Sequence, residues 1–230
     1  YQQLYFHTLG TDSANDRFEL GEGFPRIAEI EVEVHHPTGK VLCNVQNGDG
    51  GEFAHYVRSA EGRWNQISRF GDKLVQATFE PSGSILAITR EAAPRGKIVR
   101  ITNPESERRS VASLIPEGKD TIVTSFYRAP ASLVATPNRI YVTYQLGGPS
   151  EIRVFDSRGS ELVKPQQLPI SSVGGIEPLK GDDILFHNSS YVAPTLWYRY
   201  NASNGQTIQT KLSSKSPVDM TGVQVTREFA

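Results

Sequence analysis

Three carboxylates occupy alternate positions in one short stretch of this chain. Glu29, Glu31 and Glu33 are separated by apolar residues, and side chains two residues apart on a β-strand point to the same face. The pattern therefore predicts a strand with three acidic groups on one face. If this strand is the innermost strand of its sheet, that face lines a water-filled channel. If it is not, the face is a solvated edge, and the sequence leaves both alternatives open.

The other residues whose side chains could take part in chemistry are expected to have structural roles. The single cysteine, Cys43, lies in the apolar run 41–45 and is predicted to be a small buried hydrophobic residue, with no disulfide and no zinc cluster. Asp12, Asn15 and Asp16 fit a turn better than the six spaced positions of a calcium loop. The histidines are expected in or beside strands, either solvated or hydrogen-bonded: His7, His35, His36, His55 and His187. The sequence therefore predicts no metal site and no cofactor.

The composition is that of an ordinary globular protein. The 230 residues are enough for one large domain or two small ones, and 37% are hydrophobic and 21% charged. The formal net charge of −1 gives no attraction to nucleic acid or to an anionic membrane. No stretch approaches the roughly 18 apolar residues of a membrane-spanning helix. We therefore expect neither nucleic acid nor a membrane as a partner, and the compartment stays open between cytoplasm and periplasm.

A repeated pattern of turns and strands runs along the chain. Four tight turns are each followed by a β-rich run: Pro37–Lys40 before Val41–Val45, Pro81–Ser84 before Ile85–Ile88, Pro137–Arg139 before Ile140–Tyr144, and Lys180–Asp183 before Ile184–His187. After a loop, each run is followed by a second strand: Phe53–Arg58, Lys97–Thr102, Glu151–Asp156 and Thr195–Tyr200. The period of about 44 to 56 residues is the size of a four-stranded propeller blade and is too long for ankyrin or leucine-rich repeats.

The repeat predicts an all-β fold, a β-propeller with four-stranded antiparallel blades. Four complete blades are expected, after the outer half of another blade and before a tail. Each blade is expected to run from inner strand through turn, second strand, loop, third strand and turn to outer strand. The predicted bounds within the single partial domain 1–230 are 1–25 for the half-blade, 26–70, 71–118, 119–169 and 170–214 for the blades, and 215–230 for the tail.

An incomplete ring of blades has two uncovered sheet faces. A four-stranded face about five residues long covers roughly 300 Å², which is comparable to the largest apolar patch on a typical monomer. The chain is therefore expected to close on itself as about five blades, to associate with a second copy through its open faces, or to stay attached to further segments of a parent chain.

Several segments resemble the β-propeller domain of the prolyl oligopeptidase (prolyl endopeptidase) family of serine peptidases. The match begins at Tyr5–Asp12 (YFHTLGTD), continues through Gly39–Leu42 (GKVL) and includes the loop Gln46–Phe53 (QNGDGGEF), which is especially similar to bacterial members. Ile115–Glu117 (IPE) resembles an end-of-blade segment of the family, and Asp219–Ala230 resembles its passage into the catalytic domain. The resemblance covers nearly the whole chain.

The resemblance implies that this chain is part of a larger enzyme. The family's propeller has seven blades, of which this chain would carry the outer half of the third and all of the fourth to seventh. The family's catalytic domain is an α/β-hydrolase whose nucleophile sits in a Gly-x-Ser-x-Gly elbow. This sequence lacks the elbow, since Pro81–Ser84 has neither of the spaced glycines. No catalytic residue is therefore expected within 1–230, and the Ser, Asp and His of the triad are expected beyond it.

One loop is expected to face substrate by the same resemblance. In the family, the loop after the second strand of the blade that corresponds to 26–70 faces the active-site cavity. In this chain that loop begins with Gln46, Asn47, Gly48 and Asp49. Eukaryotic members have an arginine near its start, whereas this chain has Gln46 and Asn47, whose amides can still hydrogen-bond a peptide backbone. A flexible glycine-rich loop without substrate contact is the alternative.

The favoured hypothesis is a non-catalytic gating domain of an enzyme that cleaves short proline-containing peptides. The propeller would admit small flexible peptides and exclude folded proteins and bulk water. Its partner would be the catalytic domain, in the same chain or in a nicked complex. The alternative hypothesis is a self-standing five-bladed propeller that binds a ligand or a protein.

Overall fold

Antiparallel β-strands that follow one another along the chain make up the structure, a computed structural model that describes residues 2–127, 129–213 and 215–228. The described residues form nineteen strands: β1 Leu4–Phe6, β2 Arg17–Leu20, β3 Ala28–His35, β4 Lys40–Asn47, β5 Phe53–Arg58, β6 Trp64–Ser68, β7 Leu74–Phe79, β8 Ile85–Thr89, β9 Lys97–Thr102, β10 Ser110–Ile115, β11 Thr121–Ile122, β12 Leu133–Ala135, β13 Ile140–Gln145, β14 Ser150–Phe155, β15 Glu161–Leu162, β16 Ser171–Pro178, β17 Ile184–Ser190, β18 Leu196–Tyr200 and β19 Thr207–Ser213. Single turns of 3-10 helix lie at Ser13–Asn15, Gly48–Gly50 and Phe70–Asp72. None of the helical segments in the described ranges has the length and apolar character needed to cross a membrane.

The strands form five sheets in which nearly all hydrogen-bonded neighbours are also neighbours in sequence. The first sheet contains β1 and β2, the second β3 to β6, the third β7 to β10, the fourth β11 to β15 and the fifth β16 to β19. Each ladder between described strands is antiparallel. Gly39 and Gly83, in two of the turns noted in the sequence, have φ of +68° and +81°, a conformation that glycine adopts without steric cost. The predicted propeller fold, with four-stranded antiparallel blades and one partial blade, is confirmed.

The second strand of a sheet shows why the apolar runs of the sequence are continuous. Every residue of β8 is buried, as are the first five of β13, because neighbouring sheets cover both faces of these strands. The outer edge strand β10 is different, since Ser110 to Ser113 are exposed. In the third sheet, burial is therefore greatest at the second strand β8 and decreases through β9 to the outer edge strand β10.

Apolar clusters fill the gaps between successive sheets. Leu42 and Val57 of the second sheet pack with Ile85 and Ala87 of the third. The opposite face of the third sheet packs on the fourth, and the fourth packs on the fifth, through further clusters. Cys43 is fully buried between the first and second sheets, and burial raises the pKa of its thiol to about 12. The prediction that Cys43 is a buried hydrophobic residue is confirmed.

The fourth sheet departs from the expected pattern at its inner edge. Two short strands, β11 and β12, replace the single inner strand, and both pair with β13. Between them lie residues 123–132, here called the inner loop, with Arg128 outside the described residues. Val123 and Ser132 at its two ends still form backbone hydrogen bonds with Thr143 of β13, and the described residues between them form no strand. Pro130 lies within this segment and has no N–H to donate to a ladder, so a continuous strand is disfavoured there.

The sheets do not close into a ring within the described residues. The first sheet lies against β5 and β6, where Glu19 accepts hydrogen bonds from Arg58 and Trp64 at 3.0 and 2.9 Å. It leaves part of the inner strand β3 uncovered, because Val32 and Val34 are 49% and 48% exposed. The self-closed five-bladed arrangement is therefore not formed. Association with a second copy and attachment to further segments stay predictions.

A carboxylate at one turn joins the fourth and fifth sheets. Asp182, in the turn between β16 and β17, accepts hydrogen bonds from Thr136 Oγ1 at 2.7 Å and from the backbone and side-chain nitrogens of Asn138 at 2.7 and 2.9 Å. Burial by itself would raise the pKa of Asp182, but the bonds from Asn138 and Thr136 outweigh burial and lower it. The ionised carboxylate therefore acts as a link between two sheets.

His55 is a buried polar group on β5 of the second sheet. It is fully buried, and its Nδ1 lies 2.7 Å from Ser68 Oγ on β6. Burial lowers the pKa of His55 to about 3, because a charged imidazole cannot be solvated there. The fold therefore holds His55 in its neutral form.

Replacement of Asp182 with Ala is expected to lower the free energy of unfolding by about 1–3 kcal/mol, since several hydrogen bonds to one carboxylate are lost. Denaturant titration of the purified chain measures this change. Asp156→Ala is the matched control, because Asp156 accepts from Arg158 and Ser160 within its own turn and joins no two sheets by these bonds. Equal losses in the two variants would contradict the linking role of Asp182.

The free energy of unfolding is expected to fall as the pH is lowered from 6.5 toward 3. The unfolded chain takes up the His55 proton in this range while the folded chain does not, so the stability contributed by neutral His55 is present above pH 6.5 and is lost below it. One such group contributes at most about 1.4 kcal/mol per pH unit. Urea titrations across this range measure the slope.

The pH slope is assigned to His55 by two variants. His55→Gln removes the titrating group but keeps a hydrogen-bonding side chain, and it should flatten the slope. His36→Gln changes an exposed histidine and should leave the slope as it is. The assignment fails if the two variants have the same slope.

Candidate substrate-facing pocket at the inner strands

A cavity of about 430 Å³, here called the inner pocket, lies where the inner strands of the second and third sheets meet. One wall is β3 from Glu29 to Glu33, and another is β7 from Val75 to Thr78. Residues of β4, β5 and the inner loop, with Leu133 of β12, complete the lining. The first strands β3, β7, β12 and β16 contact one another in sequence, so the pocket lies on the inner side of the stack.

The three glutamates of β3 all line the inner pocket. Their register partners on β4 are Gln46 for Glu29, Asn44 for Glu31 and Leu42 for Glu33. β3 is the inner edge strand of its sheet, and its acidic face borders a cavity, so the position of the strand is that of the first alternative; that the face lines a channel stays a prediction, since the described sheets do not close into a ring.

Glu33 connects the second and third sheets across this cavity. Its Oε1 accepts hydrogen bonds from Thr78 Oγ1 and from the backbone nitrogen of Phe79, both at 3.1 Å. Burial raises the pKa of Glu33, although the bonds from Phe79 and Thr78 act in the opposite direction. Glu33 therefore has a structural part in the pocket wall.

Asn44 and His55 lie in the same cross-strand row as Glu31. Register pairs Glu31 with Asn44 and Asn44 with His55. The Asn44 amide nitrogen donates to the carbonyl oxygen of Ala77 at 3.3 Å, but Asn44 Oδ1 and His55 Nε2 are buried and make no hydrogen bond to the described residues. Buried polar atoms without a partner are uncommon because each costs free energy. Both atoms belong to residues that line the inner pocket.

Two glutamine side chains hold the inner loop over the pocket. Gln46 Oε1 accepts from the backbone nitrogen of Tyr127 at 2.8 Å. Gln76 Oε1 accepts from the backbone nitrogen of Ser125 at 3.1 Å and from Ser132 Oγ at 2.9 Å. Since Gln46 belongs to the second sheet and Gln76 to the third, the inner loop spans the gap between these sheets.

The four residues expected to face substrate differ in their burial and in whether they line the inner pocket. Gln46 lies in β4, is 3% exposed and lines the inner pocket, and its Nε2 donates to the carbonyl oxygen of Gly48 at 2.6 Å. Asn47 Nδ2 donates to Glu52 Oε2 at 3.0 Å within the same loop. Gly48 is buried and Asp49 is exposed in the 3-10 turn. Of the four, Gln46 alone is part of the pocket lining.

The histidines agree only in part with the expectation that they are solvated or hydrogen-bonded. His7 pairs with Asp16 at 2.6 Å, and His35 lies 2.7 Å from Thr38 Oγ1. His55 Nε2 and His187 Nδ1, in contrast, are buried and make no hydrogen bond to the described residues. Their strands are covered by neighbouring chain segments, which the local sequence does not reveal. Within the described residues, no cluster of three or more His, Cys, Asp or Glu side chains could hold a metal ion.

A family model matches the chain along most of its length. The N-terminal β-propeller domain of prolyl oligopeptidase matches residues 1–213. A search of curated proteins gave no match.

Solved structures with a similar fold are peptidases. A chain from a structural and mechanistic analysis of two prolyl endopeptidases is 17% identical with a TM-score of 0.76, over 91% of this chain and 30% of its own. Prolyl oligopeptidase B from Galerina marginata, as apo protein, is 14% identical with a TM-score of 0.70, over 90% of this chain and 30% of its own. Oligopeptidase B from Trypanosoma brucei, with covalently bound antipain, is 12% identical with a TM-score of 0.69, over 92% of this chain and 31% of its own.

The three solved structures support the propeller fold, whereas the family match assigns the chain to a family. The chain spans 30% or 31% of the length of the three structures, so it corresponds to one part of each. The family match, in contrast, extends over residues 1–213 of the 230. This chain therefore belongs to the family of prolyl oligopeptidase N-terminal β-propeller domains.

Proposed function

We propose that this chain is the non-catalytic propeller of a prolyl oligopeptidase-like serine endopeptidase and that it selects substrates by size. The observation that carries the proposal is the inner pocket, which is walled by the inner strands of two sheets and covered on one side by the inner loop. The family membership supports the same role. The substrates would be short proline-containing peptides.

Size supports selection of short peptides over folded proteins. The inner pocket of about 430 Å³ lies within the range of sites that take small ligands, roughly 300–1,000 Å³. A folded domain of about 100 residues has a radius of gyration near 13 Å and cannot enter. A propeller that covers a catalytic serine would therefore exclude folded proteins and bulk water from the reaction.

The proposed partner is an α/β-hydrolase catalytic domain, in the same chain or in a nicked complex. Exposed apolar side chains at the two ends of the stack, including Val32 and Val34 on β3 and Ile208 and Leu212 on β19, are where further segments or a second copy would pack. In this proposal Gln46 acts by positioning the inner loop, while Asn47 and Asp49 lie at the rim of the substrate path.

The non-catalytic role is tested with a fluorophosphonate probe, which labels activated serines. The 230-residue chain is expected to remain unlabelled. A longer polypeptide from the same reading frame is expected to be labelled at a serine outside residues 1–230. Labelling of a serine within the 230 residues, or a longer polypeptide without a reactive serine, would overturn the proposal.

Release of the inner loop is expected to relax size selection in that longer enzyme. In the double variant Gln46→Ala and Gln76→Ala, the side-chain acceptors that fasten the loop are lost, and each hydrogen bond contributes about 1 kcal/mol. We expect kcat/KM for a proline-containing peptide of about 30 residues to rise roughly three- to tenfold relative to one of about 8 residues. Steady-state kinetics with the two peptides measures the ratio.

Gln145→Ala is the matched control for this experiment, because Gln145 Nε2 donates to the carbonyl oxygen of Gly148 within its own hairpin and Gln145 does not line the inner pocket. Its ratio should stay at the wild-type value. Circular dichroism establishes that the double variant is folded. A folded double variant with an unchanged ratio, or a wild-type enzyme that digests folded proteins as fast as short peptides, would contradict size selection.

A further inference from the structure

The outer edge of the third sheet differs from the outer edges of the other sheets. It is formed by β10, whose residues Ser110 to Ser113 are exposed and uncharged. In contrast, β2 and β19 carry charged residues, β15 is two residues long, and β6 has one exposed residue. Charged or very short edge strands discourage pairing with other chains. β10 therefore presents a strand edge without these protections.

A groove of about 270 Å³, here called the rim groove, lies beside this edge between the second and third sheets. Its apolar lining residues are Ile67 of β6, Leu74 of β7, Val99 and Ile101 of β9 and Val111 of β10. Val111 is 61% exposed, whereas its register partner Ile101 is 1% exposed. The volume lies below the roughly 300–1,000 Å³ of sites that enclose a small ligand, so the rim groove suits side chains of an extended segment.

The two acidic residues of the rim groove have partners. Asp72 Oδ2 accepts a hydrogen bond from the backbone nitrogen of Arg69 at 2.8 Å, and Glu91 Oε2 lies 3.4 Å from Lys73 Nζ. Asp72 precedes β7 and Glu91 follows β8, so both are at the end of the groove where β9 begins. Their charges are therefore partly neutralised, and they are at one end of the groove.

Arg109 is at the opposite end of the rim groove, where β10 begins. It makes no ion pair within the described residues. Because Val111 follows two residues later, an extended backbone points both side chains to the same face. An acidic residue of a partner would supply the missing counter-charge at this end.

We propose that β10 and the rim groove bind an extended segment of another protein by strand addition, with an acidic residue opposite Arg109. In this binding mode, main-chain hydrogen bonds to the edge strand supply affinity and alternate side chains supply specificity. An antiparallel added strand would continue the pattern of the sheet. Its residues opposite Ser113, Val111 and Arg109 would point into the groove, so aliphatic, aliphatic and acidic residues at alternate positions fit. This surface lies outside the inner pocket and does not depend on the proposed size selection.

The test measures binding of three acetylated and amidated pentapeptides to the 230-residue chain by calorimetry at low ionic strength. The first is Val-Thr-Val-Thr-Asp, whose aspartate lies opposite Arg109 when its central valine lies opposite Val111. The second has asparagine in place of the aspartate. The third is the first peptide with its three central residues N-methylated, which removes their main-chain donors.

We expect the first peptide to bind roughly two- to fivefold more tightly than the second, and binding of the third to be lost. Arg109→Gln should abolish the difference between the first two peptides. Arg108→Gln is the matched control, because Arg108 is exposed and does not line the rim groove, and it should preserve the difference.

The position of the peptide is tested by a second pair of variants. Val111→Asp should weaken binding of the first peptide roughly tenfold, because an apolar contact is lost and a carboxylate faces the aspartate. Ile208→Asp is its matched control on the outer edge strand β19, where Ile208 is 60% exposed, and it should leave binding unchanged.

Three results would overturn the proposal. Equal binding of the first and third peptides would exclude strand addition. Binding that is unchanged in Val111→Asp, or an aspartate preference that survives Arg109→Gln, would place the peptide elsewhere. Absence of binding by all three peptides to the wild-type chain would exclude the site. None of these results bears on serine labelling or on size selection, so the proposed function is tested separately.

Discussion

Each full sheet of this protein has two faces, and hydrogen bonding within the sheet can bury neither of them. In β8, Ile85 and Ala87 pack toward the second sheet while Leu86 and Ile88 pack toward the fourth. A single sheet would leave half of these side chains in water, at a cost of roughly 25 cal/mol for each Å² of apolar surface. Face-to-face stacking is therefore the constraint on which the rest of the structure depends, and the exposed side chains at the ends of the stack follow from it.

The same stacking creates the inner pocket. At their inner edge the second and third sheets carry polar side chains, and there the apolar packing gives way to a cavity. Its polar groups find partners from distant parts of the chain: Glu33 accepts from the next sheet, and Gln46 and Gln76 accept from the inner loop. Polar groups removed from water need such partners. Asn44 Oδ1 and His55 Nε2 have none among the described residues, and both belong to residues that line the pocket.

The family match and the inner pocket describe different properties of this protein. The family match describes a domain that accompanies a catalytic domain, and the chain spans under a third of the similar solved structures. The pocket adds features of this chain itself: an acidic strand face, a fastened loop and buried acceptors. The family match therefore places the chain among peptidase propellers, and the pocket shows where this propeller has its enclosed polar surface.

The sequence by itself determined the all-β class, the order of turns and strands and the partial set of blades. These properties are local, because apolar runs such as Ile85–Ile88 and glycines such as Gly83 leave a signal within a few residues. Only the tertiary structure decided that the inner strand of the fourth sheet is interrupted, although Pro130 was a local sign of it. Gln46 bonds to Tyr127, which is 81 residues away, and Gln76 bonds to Ser125, which is 49 residues away. Such pairs form because the sheets stack, and the local sequence around each residue does not indicate its distant partner.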